Sequence, residues 1–208
     1  MLDVLIIGTG LIGRKRAAAL PNTMYLKQCF DIDIESSKSF AQIYSCEHNY
    51  SLEEAISKVT RGSLAIIAVK HIDLYQIALK CIHAGIHVLI EKPGAINLDQ
   101  IENLISKSSI HGVTISVGYN HRFHGAAGKL REITNSKIYG PVQLVRARYG
   151  HGGRVGYEKE WRGNSNLSGG GELLDQGSHL LDLMRFFGGE LTLEFSMLPT
   201  LYWNIEVE

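Results

Sequence analysis

The sequence has little cysteine and no excess of charge of either sign. Its three cysteines, Cys29, Cys46 and Cys81, are widely spaced and form no C-x-x-C pair. This usage argues against a disulfide framework or a thiolate metal site, and it favours a reducing, cytoplasmic compartment. The 21 basic residues balance the 21 acidic residues, and the longest basic block is 14–16. We therefore do not expect nucleic acid as a partner.

Long apolar runs are also lacking. No stretch approaches the roughly 20 apolar residues that a membrane-spanning helix needs. The first apolar segment follows Met1 almost directly, without a cationic leader, so we expect neither membrane insertion nor targeting. His83 and His87 are four residues apart, but Gly85 lies between them and a predicted strand starts at His87. No metal site is expected there.

Short apolar runs alternate with helical stretches through residues 1–120. Val4–Ile7 is continuously apolar, as in a strand buried on both faces of a parallel sheet. Such alternation requires right-handed crossovers and predicts a doubly wound α/β sheet. A helix is expected over 14–19, β-then-α units over 25–40, 64–84 and 87–106, and a further strand over 114–117.

Residues 121–208 follow a different pattern, which predicts an α+β domain with a largely antiparallel open sheet. Strands are expected at 141–149 and 191–198, and apolar residues alternate with polar ones in the second of these and again over 201–207. The chain stops inside the last run. We expect further sheet beyond it, and an exposed strand edge that promotes homo-oligomer formation through this sheet.

A glycine-rich motif joins the first strand to the first helix. In Gly8-Thr9-Gly10-Leu11-Ile12-Gly13, the three glycines suit a tight turn, close approach of a pyrophosphate and close helix packing. Asp31 ends the second strand, where a carboxylate accepts hydrogen bonds from the adenosine ribose and repels a 2′-phosphate. This predicts a Rossmann domain that prefers NAD to NADP. Asp33 is an alternative for the acidic position, and a methyltransferase would share both features.

Two further stretches resemble the two signature segments of the Gfo/Idh/MocA oxidoreductases. They are 84–93, which includes Glu91-Lys92-Pro93, and 168–179, which includes Asp175 and His179. Together with 8–13 and 117–123, the resemblance covers the whole chain in order. The resemblance implies that Lys92, Asp175 and His179 form the catalytic group and that Glu91 and Lys92 contact the cofactor. The sequence departs from the family pattern at Val69-Lys70-His71, where Thr-Pro-Asn is usual, and at Leu74, where a histidine is usual.

The residues themselves support this chemistry. A helix predicted over 171–187 places Asp175, His179 and Asp182 on one polar stripe. His179 suits proton exchange near neutrality, and Lys92 follows a strand at the carboxyl edge, where its ammonium could stabilise an alkoxide. Arg185 is expected to pair with Asp182. The same helix is expected to bury Leu173, Leu180, Met184 and Phe187.

Other polar and aromatic side chains suit a polyhydroxylated, anionic ligand. Loops and sheet faces also carry such residues for structural reasons. The candidates for substrate binding are Tyr119, Asn120, Arg122, Arg148, His151, Trp161 and Arg162.

The leading hypothesis is an NAD-dependent dehydrogenase acting on a secondary alcohol of a sugar, cyclitol or nucleotide sugar, a substrate class that the resemblance implies. One alternative is a glycosidase-type relative that oxidises its sugar only transiently. The other is a non-catalytic NAD-binding regulator. The presence of Lys92, Asp175 and His179 weighs against the regulator.

Overall fold

The chain divides into two compact units, Met1–Gly118 and Tyr119–Glu208. The computed structural model describes residues 1–150, 155–200 and 202–207. Within these ranges no helix is long and apolar enough to cross a bilayer.

The first unit contains six strands and five helices. The strands are Leu2–Ile7 (β1), Met24–Phe30 (β2), Glu47–His48 (β3), Leu64–Ile67 (β4), His87–Ile90 (β5) and Ile115–Val117 (β6). The helices are Leu11–Ala18 (α1), Ile34–Tyr44 (α2), Leu52–Ser57 (α3), His71–His83 (α4) and Leu98–His111 (α5). All neighbouring strands are parallel, in the order β3-β2-β1-β4-β5-β6. The predicted doubly wound sheet is confirmed, and its strand order reverses between β1 and β4, where such sheets bind ligands.

Successive residues of β1 belong to two separate apolar clusters. Leu5 and Ile7 pack with residues of α3, α4 and α5, whereas Val4 and Ile6 pack with residues of α1 and α2. Side chains alternate between the faces of a strand, so both faces of the sheet are covered. The continuous apolar run of β1 is the direct result of this double burial.

The pairing of β1 with β2 contains one irregularity. Val4 pairs with Leu26, but Leu5 pairs with Gln28, so β2 holds one residue more than β1 over this stretch. The extra residue is Lys27, whose ammonium lies 2.8 Å from the Asp3 carboxylate. Such a bulge bends a strand and increases its local twist.

The second unit has short helical elements. Its α-helices are Gly125–Ser136 (α6), Ser165–Ser168 (α7) and Ser178–Gly188 (α8). In the described part of this unit, 3₁₀ turns cover Asn120–Phe123, Tyr157–Lys159 and Trp161–Gly163, and a π-helical turn, Leu173–Gly177, leads into α8. The π turn places an irregularity inside the helix predicted over 171–187.

The antiparallel sheet expected in this unit is not confirmed. In the described part of the unit no segment is a strand, including 141–149 and 191–198. A strand needs a neighbour for its backbone groups and a packed apolar face. The alternating side chains are instead exposed, as Leu144, Leu193 and Phe195 illustrate. The third expected run begins at Leu201, which lies outside the described residues.

Candidate functional site

The glycine loop has the geometry that a dinucleotide pyrophosphate requires. Gly8 has φ +92°, and a Cβ there would lie 2.2 Å from the Ala68 carbonyl oxygen. A Cβ on Gly13 would lie 1.9 Å from the Gly8 carbonyl oxygen, so only glycine allows α1 to start this close to β1. A Cβ on Gly10, by contrast, would meet no atom within 4 Å.

The N-terminus of α1 is open to an anion. Gly10 is the N-cap and offers no side-chain hydrogen bond, and the first turn carries no acidic residue. Its amide groups and the positive end of the helix dipole therefore suit a phosphate. Leu11 and Ile12, which form this first turn, are both exposed. These residues fit an NAD-type cofactor.

Asp31 lies immediately after β2, and its carboxylate is tied to the glycine loop. Oδ2 accepts hydrogen bonds from the Thr9 amide at 2.6 Å and the Thr9 hydroxyl at 3.0 Å. Asp33 has a different role, because its side chain caps α2 by accepting from the amides of Glu35 and Ser36. Of the two acidic candidates, Asp31 is therefore the one whose carboxylate belongs to the loop.

Glu91 and Lys92 follow β5 in a turn that several elements fix. The Glu91 amide donates to Ile67 at the end of β4, and the Gly94 amide closes the turn by donating to the Glu91 carbonyl. The Glu91 carboxylate accepts from Arg16 of α1, with Nε to Oε1 at 2.6 Å. Lys92 is half-buried, and its peptide bond to Pro93 is cis. The carboxylate expected to contact the cofactor is thus held by α1.

The polar stripe predicted in the second unit is buried. Asp175, His179 and Asp182 are 3%, 5% and 8% exposed, respectively. Leu173 was expected to be buried but is 41% exposed, so that expectation was wrong. Leu180, Met184 and Phe187 are only half-buried. The polar face packs inward because basic side chains pair with its carboxylates.

Two arginines compensate the buried carboxylates. Arg162 donates from Nε to Oδ2 of Asp175 at 2.9 Å. Arg122 donates from Nε to Oδ2 of Asp182 at 2.7 Å and from Nη2 to Oδ1 of the same carboxylate. Both arginines were expected to bind substrate, and each has a carboxylate partner within its own unit.

The expected pairing of Arg185 with Asp182 was wrong. Arg185 instead donates to both carboxylate oxygens of exposed Glu190, at 2.7 and 2.8 Å. The predicted spacing of three residues allows contact along a helix. However, Arg122 approaches Asp182 with two nitrogens at once, which is the more favourable arrangement for a buried carboxylate.

The side chain of His179 packs against two aromatic rings that follow β6 in sequence. The His121 ring stacks on it with centroids 4.0 Å apart and planes at 18°. Tyr119 meets it edge-on at 5.9 Å. Burial raises the pKa of the Tyr119 hydroxyl, and the charge of Asp182 adds to this. Sequence reasoning assigned no role to His121, although it lies between two residues that were chosen as substrate contacts.

Tyr157 is a second residue that sequence reasoning missed. It is buried, and its hydroxyl donates to the Glu172 carboxylate. Burial and this carboxylate together raise the pKa of Tyr157. Glu172 lies in the signature stretch 168–179. Its place there was the signal in the sequence that could have indicated this pair. The pair anchors the segment that leads to Asp175.

The remaining substrate candidates lie in varied surroundings. The Arg162 guanidinium lies over the Trp161 ring at 4.6 Å. Asn120 and Arg148 are exposed. His151 lies outside the described residues.

Comparison with known proteins finds a family match in each part of the chain. Residues 2–119 match the oxidoreductase family with an NAD-binding Rossmann fold, and residues 128–208 match the GFO/IDH/MocA C-terminal domain. The trans-1,2-dihydrobenzene-1,2-diol dehydrogenase of Xenopus tropicalis is 28% identical, over 76% of this chain and 47% of the relative. The D-glucoside 3-dehydrogenase of Escherichia coli is 26% identical, over 90% and 54%, respectively. The chain thus spans about half the length of these relatives.

Among solved structures, the WlbA dehydrogenase from Bordetella pertussis, in complex with NADH and UDP-GlcNAcA, has the same fold. The TM-score is 0.86 at 19% identity, and the match covers 100% of this chain and 64% of that one. The N-terminal and C-terminal domains of one family are thus both matched, and they follow each other along the chain. The chain belongs to the GFO/IDH/MocA oxidoreductase family.

Proposed function

We propose that the protein is an NAD-dependent dehydrogenase that oxidises a secondary alcohol of a sugar, cyclitol or nucleotide sugar. The observation that carries this proposal is the pair of buried side chains, Asp175 and His179, one helical turn apart in a unit that follows a dinucleotide-binding sheet. Relatives named as diol and glucoside dehydrogenases support the reaction type.

His179 is proposed as the general base. A neutral imidazole can take the hydroxyl proton while hydride leaves the same carbon, and a bound nicotinamide supplies the hydride acceptor. Its burial among aromatic rings excludes water from one face of the imidazole. Asp175, held by Arg162, is proposed to orient the substrate or the imidazolium.

Lys92 is proposed to stabilise the developing alkoxide. It stands directly after β5, at the carboxyl edge of the parallel sheet, where α/β proteins bind their ligands. Backbone hydrogen bonds hold the turn from Glu91 to Gly94 and give the backbone of Lys92 a defined position. A preorganised ammonium is more effective than one that must be ordered during the reaction.

Asp31 is proposed to make NAD the preferred cofactor. Its carboxylate can accept a hydrogen bond from an adenosine ribose hydroxyl, whereas it repels the 2′-phosphate of NADP. A hydrogen bond to a charged group contributes about 1.5–3 kcal/mol, so Asp31→Ala should weaken NAD binding at least tenfold. Equal affinity of the wild type for NAD and NADP would contradict this assignment.

A panel of sugars, cyclitols, nucleotide sugars and diols, assayed with NAD for net NADH formation, tests the reaction. On the best substrate, His179→Ala and Lys92→Ala should each lower turnover by about 10²–10⁴-fold, and His179→Ala should leave NAD affinity nearly unchanged. His83→Ala and Lys15→Ala are matched controls at exposed positions. Near-wild-type turnover in His179→Ala would refute the catalytic assignment. NAD binding without turnover on any substrate would favour the regulator, and turnover without net NADH would favour transient oxidation.

A further inference from the structure

The second residue of the glycine loop makes hydrogen bonds with its side chain as well as with its amide. Thr9 is fully buried, and both its amide and its hydroxyl donate to the same oxygen of Asp31. The hydroxyl also lies 2.8 Å from the hydroxyl of Ser36, in the first turn of α2. The glycine-rich motif itself specifies only the glycines and leaves the residue at this position open.

The direction of these hydrogen bonds follows from the chemistry of the groups. An ionised carboxylate only accepts, so Thr9 must donate its single hydroxyl hydrogen to Asp31. Thr9 can then only accept from Ser36, and Ser36 is the donor. The hydrogen bonds therefore run from Ser36 through Thr9 to Asp31, and each donor strengthens the next.

The carboxylate of Asp31 has little freedom as a result. Its two oxygens have about four lone-pair sites. Oδ2 accepts two hydrogen bonds from Thr9, and Oδ1 accepts one from the Asp33 amide at 2.9 Å. The remaining acceptor site is on Oδ1, and rotating the carboxylate would break three contacts.

We propose that Thr9 is a specificity-determining residue that positions Asp31, so that its charge and its one open acceptor site face the adenosine ribose. This rests on the proposed role of Asp31 in selecting NAD. A carboxylate on a mobile side chain could turn away from the 2′-phosphate of NADP, but one held by Thr9 cannot. Ser36 contributes by orienting the Thr9 hydroxyl.

The test measures the dissociation constants of NAD and NADP for the purified protein by fluorescence or calorimetric titration, and it needs no substrate. Thr9→Val keeps the shape and the amide but removes the hydroxyl, and should reduce the NAD-to-NADP preference about tenfold. Thr9→Ser restores the hydroxyl and should restore most of the preference. Ser36→Ala should have a smaller effect in the same direction. Ser39→Ala, at an exposed position of α2, is the matched control.

The outcomes separate this inference from the function on which it rests. If the NAD-to-NADP preference of Thr9→Val stays within twofold of wild type while Asp31→Ala loses the preference, the role of Thr9 is overturned. The role of Asp31 then stands. Retention of the preference in Asp31→Ala would overturn both. If Thr9→Val unfolds, as circular dichroism would reveal, Ser36→Ala and Thr9→Ser decide the matter. An unchanged NAD-to-NADP ratio in Ser36→Ala, or a lost ratio in Thr9→Ser, would then refute the role of the hydrogen bonds that run from Ser36 through Thr9 to Asp31.

Discussion

The imidazole rings of His121 and His179 lie face to face, 4.0 Å apart, and the Tyr149 ring lies 5.9 Å from His121. Stacking of this kind fixes the plane of the His179 ring, and the proposed role of His179 as general base requires this because a small misplacement can cost about 10²-fold in rate.

His121→Ala should therefore lower turnover by about tenfold to a hundredfold with little change in NAD affinity, because it removes the flat support of the base. His121→Phe retains a flat ring and should be closer to wild type. His124→Ala is the control, since this exposed ring meets His121 only edge-on, at 6.0 Å. Steady-state kinetics and NAD titration measure both quantities. If the Phe variant is as impaired as the Ala variant, His121 acts through its nitrogens rather than by stacking.

Loss of Arg162 should destabilise the second unit, because the Asp175 side chain is only 4% exposed and would lose its charged partner. Arg162→Met is expected to cost about 1–3 kcal/mol of unfolding free energy. Asp175→Asn combined with Arg162→Met should cost less than the sum of the two single changes. Urea unfolding measures these values, with Arg185→Met at an exposed ion pair as the control. Strict additivity would mean that the pair is not coupled.

The contact of Arg16 with Glu91 should position Lys92. Arg16→Met removes the charge that holds the Glu91 turn and should lower turnover more than it weakens NAD binding. A Cβ on Gly118 would lie 2.9 Å from a terminal nitrogen of Arg16 and 3.1 Å from the Glu91 carboxylate, so Gly118→Ala should act in the same direction. Lys15→Met, on the exposed side of α1, is the control. If Arg16→Met has the same turnover as the wild type, Arg16 does not position Lys92.

Stability should fall with alkaline pH partly because of Cys81. Burial raises the pKa of this thiol to about 12, from an ordinary value of 9.0. The unfolded chain therefore loses the proton first, so the stabilisation is complete below pH 9.0 and is lost as the pH rises toward 12. Each pH unit in this window corresponds to about 1.4 kcal/mol at most.

Cys81→Ala should show a shallower decline in unfolding free energy between pH 9 and pH 11 than the wild type does. The comparison of slopes cancels the titration of lysines and tyrosines that both proteins share, and it also cancels the constant cost of the smaller side chain. Parallel slopes would show that the thiol does not contribute.

The nucleotide-binding unit was largely predictable because its signals are local. The run 87–90 predicted β5 at its observed bounds, and the run 4–7 predicted most of β1. The edge strand β3 has only two residues, and α3 has six, so neither is long enough to show a period in sequence. These elements depend on contacts with the sheet and helices beside them.

The second unit was less predictable because several of its buried residues are polar. The helix predicted over 171–187 assigned Leu173 to the core and Asp175 to a polar stripe, yet Leu173 is 41% exposed and Asp175 only 3%. The partner that allows Asp175 to be buried, Arg162, is 13 residues away and gives no periodic signal. His121 and His179 are 58 positions apart, so their stacking depends on tertiary structure alone.

The bulge at Lys27 sets the register of the second half of β2. Because the bulge takes up the extra residue, Leu5 and Ile7 pair with Gln28 and Phe30, and Asp31 follows directly beside Thr9. Regular pairing of the same sequence, with Lys27 opposite Leu5, would displace Asp31 along the strand by about 3.3 Å, farther than a hydrogen bond to Thr9 can stretch. The position of this carboxylate thus depends on an irregularity in the middle of a strand as well as on the residue at its end.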